Sequence, residues 1–171
     1  MSRFTDALVV SPMADGKTWV TLRPFGYDVG EEGSGDTVDL AIGFMTDFAS
    51  VPRMLWWAIP RWGKYGNASV IHDWLYWYQN RPRPAADAIM LEAMGVLSVP
   101  AWQRYPIYWA VRLFGGIAWM RNQWDLAAGF NRVLDETQFK SVKKSGRHGL
   151  LRCGWRRYRR RAVNDESKSS D

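Results

Sequence analysis

The chain has 171 residues, of which 47% are hydrophobic, and a single cysteine, Cys153; this is material for one globular domain and it excludes an internal disulfide framework. The net charge of +6 is unevenly spread: residues 140–161 hold ten Lys and Arg and no acid, and with the −2 of residues 162–171 this leaves −2 for residues 1–139. The body is therefore mildly acidic, and the basicity belongs to an arm of the kind that stays solvated and meets anionic partners.

In chain order, residues 7–13 and 18–29 read as two strands around the Asp15-Gly16 turn, a hairpin signal. The alternation of Trp19, Thr21 and Arg23 with Val20, Leu22 and Pro24 suits a sheet with one wet face. A polar, glycine-rich loop (31–36) leads to a third strand at 38–43. TDFASVPR (46–53) then leaves the sheet and enters a helix near MLWWAI, with Ser50 as N-cap and Pro52 in the first turn. Asn67 is a plausible cap for the next helix, which RPRP (81–84) ends, since the residue before a proline disfavours helical angles. Another helix is expected from about Pro84 to Leu97. Residues 101–120 are apolar but carry Arg104 and Arg112, too interrupted for a span of about 20 apolar residues, and read as a buried helix; an interfacial helix is the alternative. Residues 121–138 form a further amphipathic helix. The fold class is thus α+β: an N-terminal antiparallel β-hairpin region, then a bundle of four to five helices, as one domain over 1–139, with a basic, flexible tail over 140–171.

The chemistry concentrates between Thr46 and Asp87. On the helix that holds NASVIHDWLYWYQN (67–80), Ile71, Trp74, Leu75 and Tyr78 make an apolar stripe, with His72 and Tyr76 on the ridge beside it and Asp73 one position further round. Met90, Leu91, Met94 and Leu97 make the stripe of the next helix, and Asp87 falls on it. A carboxylate on a core-facing stripe costs several kcal/mol unless it is paired, and His72 is the one histidine in the body of the chain. Spacing therefore predicts a buried His72–Asp87 pair, with Tyr76 as a further donor. No internal repeat, glycine-rich phosphate loop, CxxC pair or serine triad is present. The histidine and cysteine inventory also falls short of a zinc site.

TDFASVPR, followed by NASVIHDWLYW and AADAIMLEAM, resembles a family of small phage and prophage proteins that share a domain of unknown function, from about residue 7 to residue 118. The same three pieces, in the same order, look like the core of secreted calcium-dependent phospholipases A₂, especially the short bacterial ones. That resemblance implies His72 as the general base that activates a water, Asp87 as the residue that fixes its tautomer, and Tyr76 as a donor to Asp87. It implies Ca²⁺ held by Asp73 and Asp47 with nearby loop carbonyls.

Three functions follow as expectations. The first is a phage-encoded calcium-dependent ester hydrolase acting at a membrane or cell envelope. The second is a non-enzymatic structural or accessory phage protein, a minor virion or assembly component whose tryptophan-rich face docks a partner, with His72, Asp87 and Tyr76 as a packing network. The third is an accessory protein that binds nucleic acid or lipid through Lys143, Lys144, Arg147, Arg156, Arg157, Arg159, Arg160 and Arg161. The N-terminus MSRFTDALVV shows no secretory signal pattern, so synthesis in the host cytoplasm is expected, with a virion or membrane-peripheral destination open.

Overall fold

A computed structural model describes residues 3–13, 15–48 and 64–145, and for 141–145 the backbone alone. Five short strands precede four helices: β1 (Val10–Pro12), β2 (Trp19–Thr21), β3 (Phe25–Asp28), β4 (Thr37–Leu40), β5 (Met45–Thr46), α1 (Gly66–Tyr78), α2 (Arg83–Val96), α3 (Ala101–Ala127) and α4 (Glu136–Ser145). The chain is α+β, with its strands antiparallel and N-terminal. The segment expected to carry Ser50, Pro52 and the MLWWAI helix lies outside the described residues.

The hairpin forms where the sequence places it. β1 and β2 pair with Val10 opposite Thr21 and Pro12 opposite Trp19. Asp15 closes the turn by accepting from the Lys17 and Thr18 amides, and Gly16 takes a φ of +64° that its missing Cβ permits. The strand expected over 18–29 is in fact two, β2 and β3, which lie in different sheets: β1-β2-β5 and β3-β4. Pro24 stands at the break and has no amide to give to a ladder. Nor is the Thr21 side of β2 wet. Thr21 is buried, its hydroxyl donating to Ala41 O (3.1 Å) and accepting from Phe44 N (3.0 Å).

α1 is buried on all sides from Ala68 to Trp77, its polar His72 and Asp73 included. Tyr78 is the exception in the expected stripe and is exposed. The helix starts at Gly66 after Tyr65, so Asn67 is inside it and not its cap. It stops at Gln79, whose φ of +52° ends the helix before RPRP, and that proline run opens α2 instead. Glu92 on α2 holds the strands to the helices: it accepts from the Tyr27 hydroxyl (2.8 Å) and the Gly30 amide (2.9 Å) and pairs with Arg3 (3.1 Å).

Residues 101–120 do not form a separate buried helix, and 121–138 is not one helix. α3 runs unbroken through Pro106 and Gly115-Gly116 to Ala127, and Gly129 (φ +78°) turns the chain before α4. Among the described residues, α1 and α2 cover one side of α3; Ile107, Val111 and Asn122 are buried there, whereas Trp102, Trp109, Leu113, Ile117 and Trp124 are exposed. No helix among the described residues is long and apolar enough to cross a membrane. Lys140, Lys143 and Lys144, the first residues of the basic block, stand on α4; Arg147 onward lies outside the described residues.

Tyr27→Phe should lower the unfolding free energy by about 1 kcal/mol in urea denaturation, the worth of one hydrogen bond. Glu92→Ala should cost more than Tyr27→Phe, since it leaves the buried Tyr27 hydroxyl without its acceptor.

Candidate functional site

Asp87 has no exposed surface and is surrounded by donors from three helices. From α1, His72 Nε2 lies 3.0 Å from its Oδ1, and the Tyr76 hydroxyl donates to the same oxygen at 2.7 Å. From α3, Arg112 donates to Oδ2 at 2.8 Å. Arg83, one turn earlier on α2, approaches Oδ2 at 3.5 Å and donates to the carbonyls of Val111 (3.3 Å) and Arg112 (3.0 Å), fastening α2 to α3. Burial acts to raise the Asp87 pKa, but the hydrogen bonds from His72, Arg112 and Tyr76 more than offset it and hold the carboxyl below its ordinary value. Burial, with the bond to Asp87, pushes the Tyr76 phenol well up, so it is a donor throughout the physiological range.

The structure therefore brings His72, Asp87 and Tyr76 together in the arrangement the spacing predicts. An ionised Asp87 accepts the Nε2 proton, which places the lone pair of a neutral His72 on Nδ1. Arg112, which in the sequence merely interrupts an apolar run, is the third donor. Arg83 is legible as the i, i−4 partner of Asp87 on one helix face.

His72 lines a cleft of about 710 Å³, together with Thr46, Asp47, Asp73, Arg121 and Arg132. β5 supplies Thr46, whose hydroxyl donates to the buried Asp73 carboxylate at 2.5 Å and accepts from Phe48 N at 3.1 Å. Asp47, next along, is exposed. Phe48 follows with a φ of +52°, an uncommon conformation for an aromatic residue, and its ring is buried with an edge contact to Trp19 at 6.0 Å. The strand-like segment after α3 runs beside β5, with Met45 N donating to Arg132 O (2.8 Å) and Leu134 N to Gly43 O (3.0 Å). That pairing carries Arg132 to the two aspartates.

Arg132 stacks over Trp77 at 5.0 Å and donates to Asn122 Oδ1 at 3.2 Å. Desolvation lowers its pKa, and the charges of Asp73 and Asp47 work in the other direction. Nothing in its sequence surroundings marks Arg132, which reaches the site only through the tertiary pairing. Calcium takes six to eight oxygens, about as many as two or more carboxylates with carbonyls and waters supply. Asp73 and Asp47 already face a fixed cation, and among the described residues no group of three or more His, Cys, Asp or Glu gathers around them. The described donors alone do not complete a calcium shell.

The family described as Protein of unknown function (DUF1353) matches residues 19–111. The chain belongs to the DUF1353 family. The matched span includes Thr46, Asp47, His72, Asp73, Tyr76, Arg83 and Asp87, and it ends one residue before Arg112. An uncharacterized protein, y4jT, of Sinorhizobium fredii (strain NBRC 101917 / NGR234) is 34% identical over 109 residues, which are 61% of this chain and 29% of that protein. The chain thus spans under a third of the length of this relative. No solved structure matches the chain.

Asp87→Asn should cost about 3 kcal/mol at neutral pH, because it strands Arg112 and His72 against a neutral group. The folded-state pKa of Asp87 is lowered, so its contribution is fully present above the unfolded carboxyl value of about 3.9 and is lost as the pH falls through the lower folded value. The gap between parent and variant should be widest near neutrality and close under acid, as read by urea denaturation at a series of pH values. Gly115→Ala should also destabilise, by about 1–3 kcal/mol. A Cβ there would overlap the Tyr76 hydroxyl and stand 3.2 Å from Tyr76 Cζ, so the ring must move off Asp87.

Proposed function

We propose that this protein is a hydrolase that splits an ester by attack of a water activated at His72. One observation carries the reading. An imidazole whose Nε2 faces a fully buried carboxylate at 3.0 Å also lines a cleft of about 710 Å³. A positioned base with its tautomer fixed by a carboxylate is the arrangement general-base catalysis requires. As the water oxygen bonds to the ester carbonyl carbon, its proton passes to His72 Nδ1, and Asp87 stabilises the imidazolium through the Nε2 proton. Collapse of the tetrahedral intermediate breaks the bond to the leaving alkoxide, which takes the proton from His72. The oxygen that gains negative charge needs a cation, and Arg132 and Arg121 both line the cleft.

The order of the motifs resembles that of phospholipases A₂, and it supports a lipid ester as the substrate class and a phage lysis or entry step as the setting. Calcium on Asp73 and Asp47 is the alternative source of the positive charge. The second reading, a packing network without turnover, is favoured by the same ion pairs of Asp87, since they also stabilise the fold.

Turnover of a short-chain, soluble ester by the full chain tests the proposal. His72→Asn should lower kcat by about 100-fold or more and leave the melting temperature within a few degrees, because Asn can still donate toward Asp87. Arg132→Gln should lower kcat by about 10-fold or more with little change in KM. If neither the parent nor its calcium-loaded form hydrolyses any ester offered, the packing network stands. A calcium-dependent rise in melting temperature that Asp73→Asn abolishes would give the electrostatic role to the ion.

A further inference from the structure

α3 is 27 residues long, about 40 Å of helix, and one side of it has no partner among the described residues. Trp102, Tyr105, Trp109, Leu113, Ile117, Met120 and Trp124 recur every three or four residues and are exposed by 46–73%. They form a single stripe of the width a core-facing helix normally buries. A contiguous apolar band of this kind on a folded surface marks a place of contact.

The composition of the band and its borders selects the occupant. Between residues 101 and 124 the helix carries Arg104, Arg112 and Arg121 and no acid; the first carboxylate is Asp125. Arg121 is well exposed at the edge of the stripe, with Asp125 at 4.0 Å as a weak neighbour. Arg112 is turned inward to Asp87 and Arg104 lies against Gly95 of α2, so Arg121 is the arginine that borders the stripe. With the chain's net charge of +6 it disfavours a second copy as the partner. Trp and Tyr rings with an apolar body and a polar edge are suited to the boundary between acyl chains and headgroups. Arg121 beside them finds anionic headgroups there. The stripe is also continuous with the cleft, since Phe114 and Ile117, both exposed, line its wall. The ten cations of residues 140–161 add to the same electrostatic preference.

We infer that the exposed face of α3 is a docking surface for an anionic lipid bilayer, on which the helix lies parallel to the membrane plane with its tryptophans at the acyl–headgroup boundary. The helix rests on the surface and does not span it. The inference names the surface that would present a lipid ester to the cleft. It does not require the cleft to be catalytic.

The test is co-sedimentation of the full chain with vesicles of ether-linked lipids, so that binding is read without hydrolysis. Phosphatidylcholine vesicles with and without phosphatidylglycerol are compared, at low and high salt. The parent should bind the phosphatidylglycerol vesicles, and part of that binding should survive high salt, because burial of the stripe is not screened. Trp109→Ser combined with Ile117→Ser should weaken partitioning by roughly tenfold or more with the melting temperature kept. Trp109→Tyr combined with Ile117→Leu should bind like the parent. If the serine pair fails to fold, Trp102→Ser with Trp124→Ser serves in its place.

Three results would overturn the inference. The parent could fail to bind at low salt. The serine variants could bind as the parent does while neutralising Arg156, Arg157 and Arg159–161 abolishes binding, which would assign it to the arm alone. Sedimentation velocity could show a lipid-free dimer that the serine variants dissolve, which would make the stripe a self-interface. Turnover of a soluble ester is independent of all three, so the docking surface and the catalytic cleft can fail separately.

Discussion

The carboxylate of Asp87 is the constraint around which the helices are arranged. It has no exposed surface, and an ionised carboxylate in that position is tolerated only when its lone pairs are met in full. The donors come from His72 and Tyr76 on α1 and from Arg112 on α3, with Arg83 on α2 reinforcing one side. The register of three helices is thereby tied to one side chain. Apolar packing alone, as between Ile71, Met90 and Ile107, would tolerate small slips of one helix along another. Directional bonds to two oxygens do not. The same network gives the imidazole one tautomer and one orientation, so the demand of the core and the demand of a proton-transfer site are met by the same atoms.

The β-rich part has a different role, since it delivers charge to the cleft. β5 is only Met45–Thr46, yet its pairing with β2 sets Thr46 against Asp73. The segment after α3 runs along its other side and brings Arg132 between acidic neighbours. A cation held over Trp77 and surrounded by protein keeps its position, and a preorganised charge of that kind does not have to reorient when negative charge develops nearby. The β1-β2-β5 sheet thus sets the electrostatics of the cleft, while Phe25, Tyr27, Val38 and Leu40 of the other sheet pack into the main core.

Much of this is legible in the sequence, for identifiable reasons. Helical spacing makes the His72–Asp87 contact readable, because a carboxylate on a core stripe demands a partner and the body of the chain contains one histidine. The Asp15-Gly16 turn and the start of α2 are equally local signals. What spacing does not carry is the long-range part. Arg132 is 59 residues from Asp73 in sequence and meets it through strand pairing. Arg112 stands in an apolar run and is read as an interruption until α3 is docked on α2. The exposure of the aromatic stripe is left open between a buried and an interfacial helix, because Trp102, Trp109 and Trp124 have the periodicity of a core face, and periodicity reports that a face is apolar without reporting what covers it.

Gly115 has a mechanical consequence. It stands on the covered side of α3, close against Tyr76, three residues after Arg112 and its bond to Asp87. Asn122, further along the same side, donates to the Tyr76 carbonyl at 2.9 Å, and Gln79 reaches the Trp119 carbonyl at 2.9 Å. These contacts leave α3 almost no freedom to roll about its own axis. The aromatic stripe and the Asp87 donors lie on opposite sides of that one rigid rod, so they share a single rotational setting. A torque applied to the outer face of α3 is therefore transmitted to the Tyr76 ring and the Asp87 oxygens without any intervening hinge, and the inner side of the helix senses what touches the outer.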